Sequence, residues 1–142
     1  MKRQRGQVIV EFALILPLFL LMIFGIIYSG MLFYDYSTLS NVARSAAREA
    51  AITQDVVDND PTITAHYYNT NNHTFKDGII TSLYVPKADG DSDGFRIHLD
   101  SDDIVVTITM KLNVSFPLLD IILPDEYQIK YHMRKDVNSS DT

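Results

Sequence analysis

The sequence predicts an α+β fold in which one long N-terminal helix, half membrane-spanning and half amphipathic, packs on a small antiparallel β-sheet. Three observations predict it. Phe12 to Tyr34 is a run of 23 residues without a charge; Tyr34 to Thr53 places alanines and larger apolar residues at steps of three and four; and from Gly78 onward apolar and polar residues alternate. These are the signatures of a lipid-facing helix, a helix with one buried stripe, and half-buried strands.

As helix, 23 residues rise roughly 35 Å, enough to cross a bilayer core with some tilt. A cleaved secretory signal is the competing reading, but its apolar core runs only about 7–15 residues before a small-residue cleavage site. Here the run continues into Met31-Leu32-Phe33-Tyr34. Pro17 kinks such a helix rather than ending it, because neighbours in a membrane satisfy the freed carbonyl. Residues 1–34 carry Lys2, Arg3 and Arg5 against Glu11, a net +2, and the remainder carries nine Lys/Arg against seventeen Asp/Glu, a net −8. The basic end marks the cytoplasmic side. The orientation expected is therefore single-pass in the cytoplasmic membrane, N-terminus inside, with an acidic head outside.

The amphipathic half reads from Leu39 through Val42, Ala43, Ala46, Ala47 and Ala50 to Ala51, with Arg44, Arg48 and Glu49 opposite. A stripe of alanines lets its partner approach closely. One helix from about Val8 to Thr53 would be about 70 Å long. Asp58 to Pro61 and Asn69 to Thr74 read as turn and loop. Gly78–Val85, Phe95–Leu99, Ile104–Phe116 and Tyr127–Arg134 read as strands whose apolar face covers the alanine stripe. The expected division is 1–6, a basic leader; 7–53, the helix, in membrane to about residue 34; and 54–142, the head.

Composition excludes several functions. Cysteine is absent, which removes disulfides and thiolate chemistry. A head at −8 repels nucleic acid and anionic lipid. Gly90 to Gly94 matches G-x-S-x-G, but an alternating strand follows where a nucleophile elbow needs a helix, and flanking aspartates oppose an alkoxide. Nothing points to an enzyme. Asp89, Asp91, Asp93 and Gly94 match the start of a calcium loop, with the Phe95 carbonyl and Asp100 at the later ligand places. Calcium is the one cofactor the sequence suggests; a solvated acidic turn is the alternative. His66 and His73 fall in loops and His98 and His132 at outward strand positions, all read as solvated. Leu118 to Leu123 reads as core or as a subunit contact, and the three N-x-S/T matches, at Asn72, Asn113 and Asn138, are frequent by chance.

Glu11 remains to be explained, since a carboxylate at the centre of an inserted helix costs roughly 2.5–3.5 kcal/mol. One reading is an interfacial acid favoured by the positive helix N-terminus. The other follows from its neighbours. RGQVIVEFALILPLFLLMIFGIIYSGMLF resembles the N-terminus of TadE-like minor pilins of tight-adherence (Flp-type) pili, within the type IV pilin-like proteins; SFPLLDIILPDE is similar to their tails. The resemblance implies a pilin-like fold and a leader ending at Gly6, removed by a prepilin peptidase so that Gln7 becomes the first residue. Glu11 then acts in assembly. It further implies other pilin subunits and the pilus assembly platform as partners, membrane lipid before assembly, and a role in pilus assembly or adhesion at tip or shaft. Gln7 departs from the apolar residue with which many such proteins begin. Gly25, Ser29 and Gly30 are small enough for close helix packing. The alternative function is an unprocessed single-pass protein whose acidic head binds calcium or a partner.

Overall fold

The computed structural model describes residues 2–76, 79, 81–88, 94–113 and 123–135. Its chain divides into two compact units, Met1–Phe33 and Tyr34–Thr142. Helix α1, Lys2–Ile52, contributes to both and contains Pro17.

In the first unit no described residue from Val8 to Phe33 is buried. Val8, Phe12, Leu14, Leu18 and Phe33 are each 63–76% exposed. The most apolar window of the helix has a mean hydropathy of 2.7, and by length and composition the helix can cross a membrane. So contiguous an apolar surface is untenable in water and calls for lipid or other helices.

The second unit has a conventional core. Along α1, Leu39, Val42, Ala43, Ala46, Ala47, Ala50 and Ala51 are buried, as their spacing predicts. The opposing layer is an antiparallel sheet built on one central strand, β5 (Asp103–Leu112). Strand β6 (Glu126–Arg134) pairs along one edge of β5, while β4 (Phe95–Asp100) and a short β3 (Tyr84–Pro86) follow each other along the other. Alternation decides the faces: Phe95, Ile97, Ile104, Val106, Ile108, Met110 and Ile129 are buried, and the residues between them are mostly turned outward. Each fully buried side chain of this size contributes about 1.5–3 kcal/mol. The sheet thus supplies the apolar bulk, and the alanines supply proximity.

Three features depart from the sequence-based expectation. Residues 61–67, between two turns and with His66 expected in a loop, form helix α2 (Pro61–Tyr67): Asp60 accepts from the Thr62 and Ile63 amides, and Pro61 fills the first turn, where no amide is needed. The DNDP turn signal is in fact this helix's start signal. Within the expected loop at 69–74 lies the turn of a small hairpin, β1 (Tyr68–Asn69) with β2 (Thr74–Phe75), turned through His73 at φ 50°. Among the described residues of the strand expected over Gly78–Val85, pairing begins at Tyr84. The Ser82 and Leu83 amides are taken by a carboxylate of α1 and cannot join a ladder.

The outer edge of β4 is closed by the segment after α1. Asn59 donates its amide to the Ile97 carbonyl and accepts the Ile97 amide at its side-chain oxygen, so the edge is capped without a further strand. Gly94, entering β4, sits where a Cβ would lie 2.8 Å from the Tyr68 hydroxyl, 2.9 Å from the Lys87 carbonyl and 2.9 Å from the Pro86 Cβ. Two of these neighbours are backbone or ring. Gly94→Ala should therefore cost about 1–3 kcal/mol, read as a lower urea midpoint of the tyrosine signal at unchanged slope.

Candidate functional site

The residues singled out near the N-terminus all lie on helix α1. Gly6, Gln7 and Glu11 lie in the first turns of α1, and Glu11 is exposed among exposed apolar neighbours. Gly25, Ser29 and Gly30 are also exposed, Gly25 and Ser29 one turn apart. A Cβ added at Gly25 or Gly30 meets nothing within 4 Å. Packing among the described residues therefore does not demand their smallness.

The acidic residue that organises the head is one the sequence reading passed over. Asp35 stands one residue beyond the charge-free run and is fully buried. Its Oδ1 accepts the Ser82 amide at 2.7 Å, and its Oδ2 accepts the Leu83 amide at 2.8 Å and the Tyr84 amide at 3.4 Å. The signal was available: Asp35 is four residues before Leu39, so the buried stripe begins with it. Burying a carboxylate costs several kcal/mol. Two short charge-assisted bonds at about 1.5–3 kcal/mol each, with one long one, offset that cost. The result is near break-even in energy and decisive in position, because it fixes where β3 starts relative to α1.

Around this carboxylate the side chains are aromatic. Tyr84 donates its hydroxyl to the Pro124 carbonyl at 3.0 Å, and its ring meets Tyr127 edge-on at 4.5 Å. Burial pushes both phenols up, with the charge of Asp35 adding to it. The Tyr127 hydroxyl is buried with no hydrogen-bond partner among the described residues.

Two carboxylates tie the remaining pieces together. Glu49, expected on the solvent side, accepts from His66 Nδ1 of α2 at 2.6 Å. Beside it, burial and the hydrogen bond to Glu49 push the Tyr67 phenol up to about 12. Asp58 accepts the Leu99 amide at 2.7 Å and lies 3.1 Å from His98 Nδ1; the Leu99 amide holds its carboxyl below the usual range. His66 and His98 are thus paired rather than merely solvated, and His66 is helical. Arg44, exposed as expected, places its guanidinium 5.6 Å from the Tyr131 ring centroid.

Of the suggested calcium set, only Phe95 and Asp100 are among the described residues. Asp89, Asp91 and Asp93 lie outside the described residues. Phe95 and Asp100 occupy opposite ends of extended β4, about 17 Å apart at strand rise, whereas ligands of one calcium ion lie 2.3–2.6 Å from it. The Phe95 carbonyl and Asp100 cannot share a cation, because the segment is a strand and not the continuation of a loop. Among the described residues no three His, Asp or Glu side chains are grouped to hold a metal. Of the Leu118 to Leu123 run, only Leu123 is described, half-buried.

With this geometry in place, comparison with known proteins adds one positive finding. Residues 6–48 match the family model described as TadE-like protein. The N-terminal third of this chain is thus similar to TadE-like proteins, as its residues suggested. The match ends within α1, so it includes none of the β-rich head. No curated protein and no solved structure matches the chain.

Two predictions arise from the anchored head. Asp35→Ala leaves buried amides without an acceptor, at about 1–3 kcal/mol each, and should lower stability by at least about 2 kcal/mol. Hydrogen exchange should show the Leu83 amide losing its protection, and Asp35→Asn, which keeps one acceptor oxygen, should lose less. The second concerns alkaline pH. Tyr67 stays neutral in the folded head to about pH 12 but ionises near its ordinary 10.0 when unfolded. Stability from this group is therefore complete below pH 10 and falls as pH rises from 10 towards 12. Tyr67→Phe should flatten part of that fall in urea titrations at stepped pH, and Tyr84 and Tyr127, also raised, should account for the rest.

Proposed function

We propose that the chain is a minor pilin or pseudopilin of a tight-adherence pilus. It is inserted with its basic leader inside the cell, clipped between Gly6 and Gln7 by a prepilin peptidase, and drawn into a helical filament with its head outward. The observation that carries this reading is a helix of exposed apolar residues interrupted by one carboxylate, Glu11, inside the TadE-like match.

The physical logic is charge neutralisation at a moving helix. Clipping creates an α-amino group at Gln7, one turn before Glu11. A lone carboxylate in low dielectric is costly and a paired one much less so. In a filament, Glu11 of an incoming subunit meets the amine of a neighbour, so electrostatics selects the register between subunits. Extraction exchanges lipid contacts for helix contacts, and the open surface at Gly25, Ser29 and Gly30 admits a neighbouring helix closely. The assembly platform and the other pilins are the partners this requires.

Co-expression with an active prepilin peptidase should shorten the wild type by its first six residues, measured by intact mass, and leave Gly6→Leu whole. Glu11→Ala should still insert and be clipped but be absent from sheared filaments. Full-length chain persisting beside an active peptidase would make this an unprocessed single-pass protein instead.

A further inference from the structure

The sheet treats its two edges differently. The edge at β4 is capped by Asn59, which exchanges hydrogen bonds with Ile97, whereas among the described residues no strand pairs with the far side of β6. Backbone parity decides which groups that leaves open. Thr109 accepts the Lys87 amide and gives its own amide to the Gly94 carbonyl, so odd-numbered residues of β5 turn towards β3 and β4; Leu112 gives its amide to the Asp125 carbonyl, so even-numbered ones turn towards β6. By register, Tyr127, Ile129, Tyr131 and Met133 bond β5, and Gln128, Lys130 and His132 direct their amides and carbonyls away from it. Most of the usual protections of an edge are missing. Strand β6 has nine residues, against about 5–6 in a common strand, keeps an unbroken register with β5 and contains no proline. Charged side chains are its guard.

We propose that this edge receives an extended acidic segment of a partner protein as an added antiparallel strand. Backbone groups supply the affinity, and the side chains beside them choose the partner. Gln128, Lys130 and His132 are exposed on the outward face. Glu126 is already held by Lys87 at 3.2 Å, and Arg134 faces Asp103 of β5. Lys130 faces Thr107 instead, and among the described residues no carboxylate is paired with it. A residue directly opposite it on an added strand has its Cβ about 4.5–5.5 Å away, where Asp or Glu is attracted and Lys or Arg repelled. On the helix side Tyr131 and Met133 are half-buried, so apolar residues suit the partner's alternate positions. A second copy does not fit. Antiparallel pairing of β6 with itself sets a two-fold axis across the sheet, so the stretch Leu39–Ala51 lying on it would run in opposite directions in the two copies, and their apolar helices could not enter one bilayer from the same side. The inference does not need the pilus reading, because the edge belongs to the head.

The test uses the full chain in zwitterionic nanodiscs, with a short peptide alternating valine and glutamate, its valine–lysine counterpart, and two N-methylated forms of the glutamate peptide. In the free chain the Gln128, Lys130 and His132 amides should exchange quickly with solvent and the Ile129 and Tyr131 amides slowly; the glutamate peptide should slow the first set. It should bind at least tenfold more tightly than the lysine peptide. Methylating its glutamate amides, which face β6, should abolish binding, and methylating its valine amides, which face away, should not. Lys130→Glu should weaken binding at least tenfold with the tyrosine near-UV signal intact. His132→Pro, which removes one outward donor where an edge strand tolerates proline, should do the same, whereas Arg48→Gln, an exposed cation on α1, should match the wild type. Slow exchange of the Lys130 amide in the free chain overturns the open edge, and if that protection fades on dilution a second copy covers it. Equal affinity for the two charged peptides, or binding indifferent to methylation at glutamate, overturns the acidic strand.

Discussion

The head is organised around one buried carboxylate. Asp35 points three backbone amides of the 82–84 segment at helix α1, and everything downstream takes its place from that contact. Because Ser82 and Leu83 give their amides to Asp35, β3 is short. It then continues the line of β4 along the same edge of β5. The bond is no large source of stability, since desolvation of the carboxylate offsets most of what the amides contribute. Its contribution is uniqueness: an apolar residue at position 35 would pack against the segment in many registers, and a carboxylate facing paired amides in few.

The alanine stripe makes that contact possible. Larger residues at 43, 46, 47 and 50 would hold helix and sheet apart, whereas alanines let the branched side chains of β4 and β5 fill the space. Glu49 with His66 and Asp58 with His98 then fasten the segment between helix and sheet from the outside. The one helix thus works in two solvents. Its first part exposes apolar residues that only lipid or other helices can cover, and its second part covers a sheet of its own.

The division between the two units falls within α1. The core of the second unit is built from residues of Tyr34 onward. The TadE-like match falls on that helix and stops before the head.

The elements built on period and composition were legible in the sequence. The apolar run, the alanine stripe and the alternation of FRIHL and VVTITMKL depend on the chain's own neighbours three, four or two residues away, and each came out as helix or strand accordingly. Helix α2 was equally local, but its Asp-Pro start doubles as a turn signal. The role of Asp35 was decided elsewhere, because a carboxylate is placed by the amides it meets, and those lie 47 to 49 residues away. The same holds for the outward face of the sheet: Lys87, Arg96, Thr107 and Lys130 are scattered charges and hydroxyls until antiparallel register sets them side by side. Local spacing determines which face a residue takes, whereas only tertiary pairing determines what shares that face.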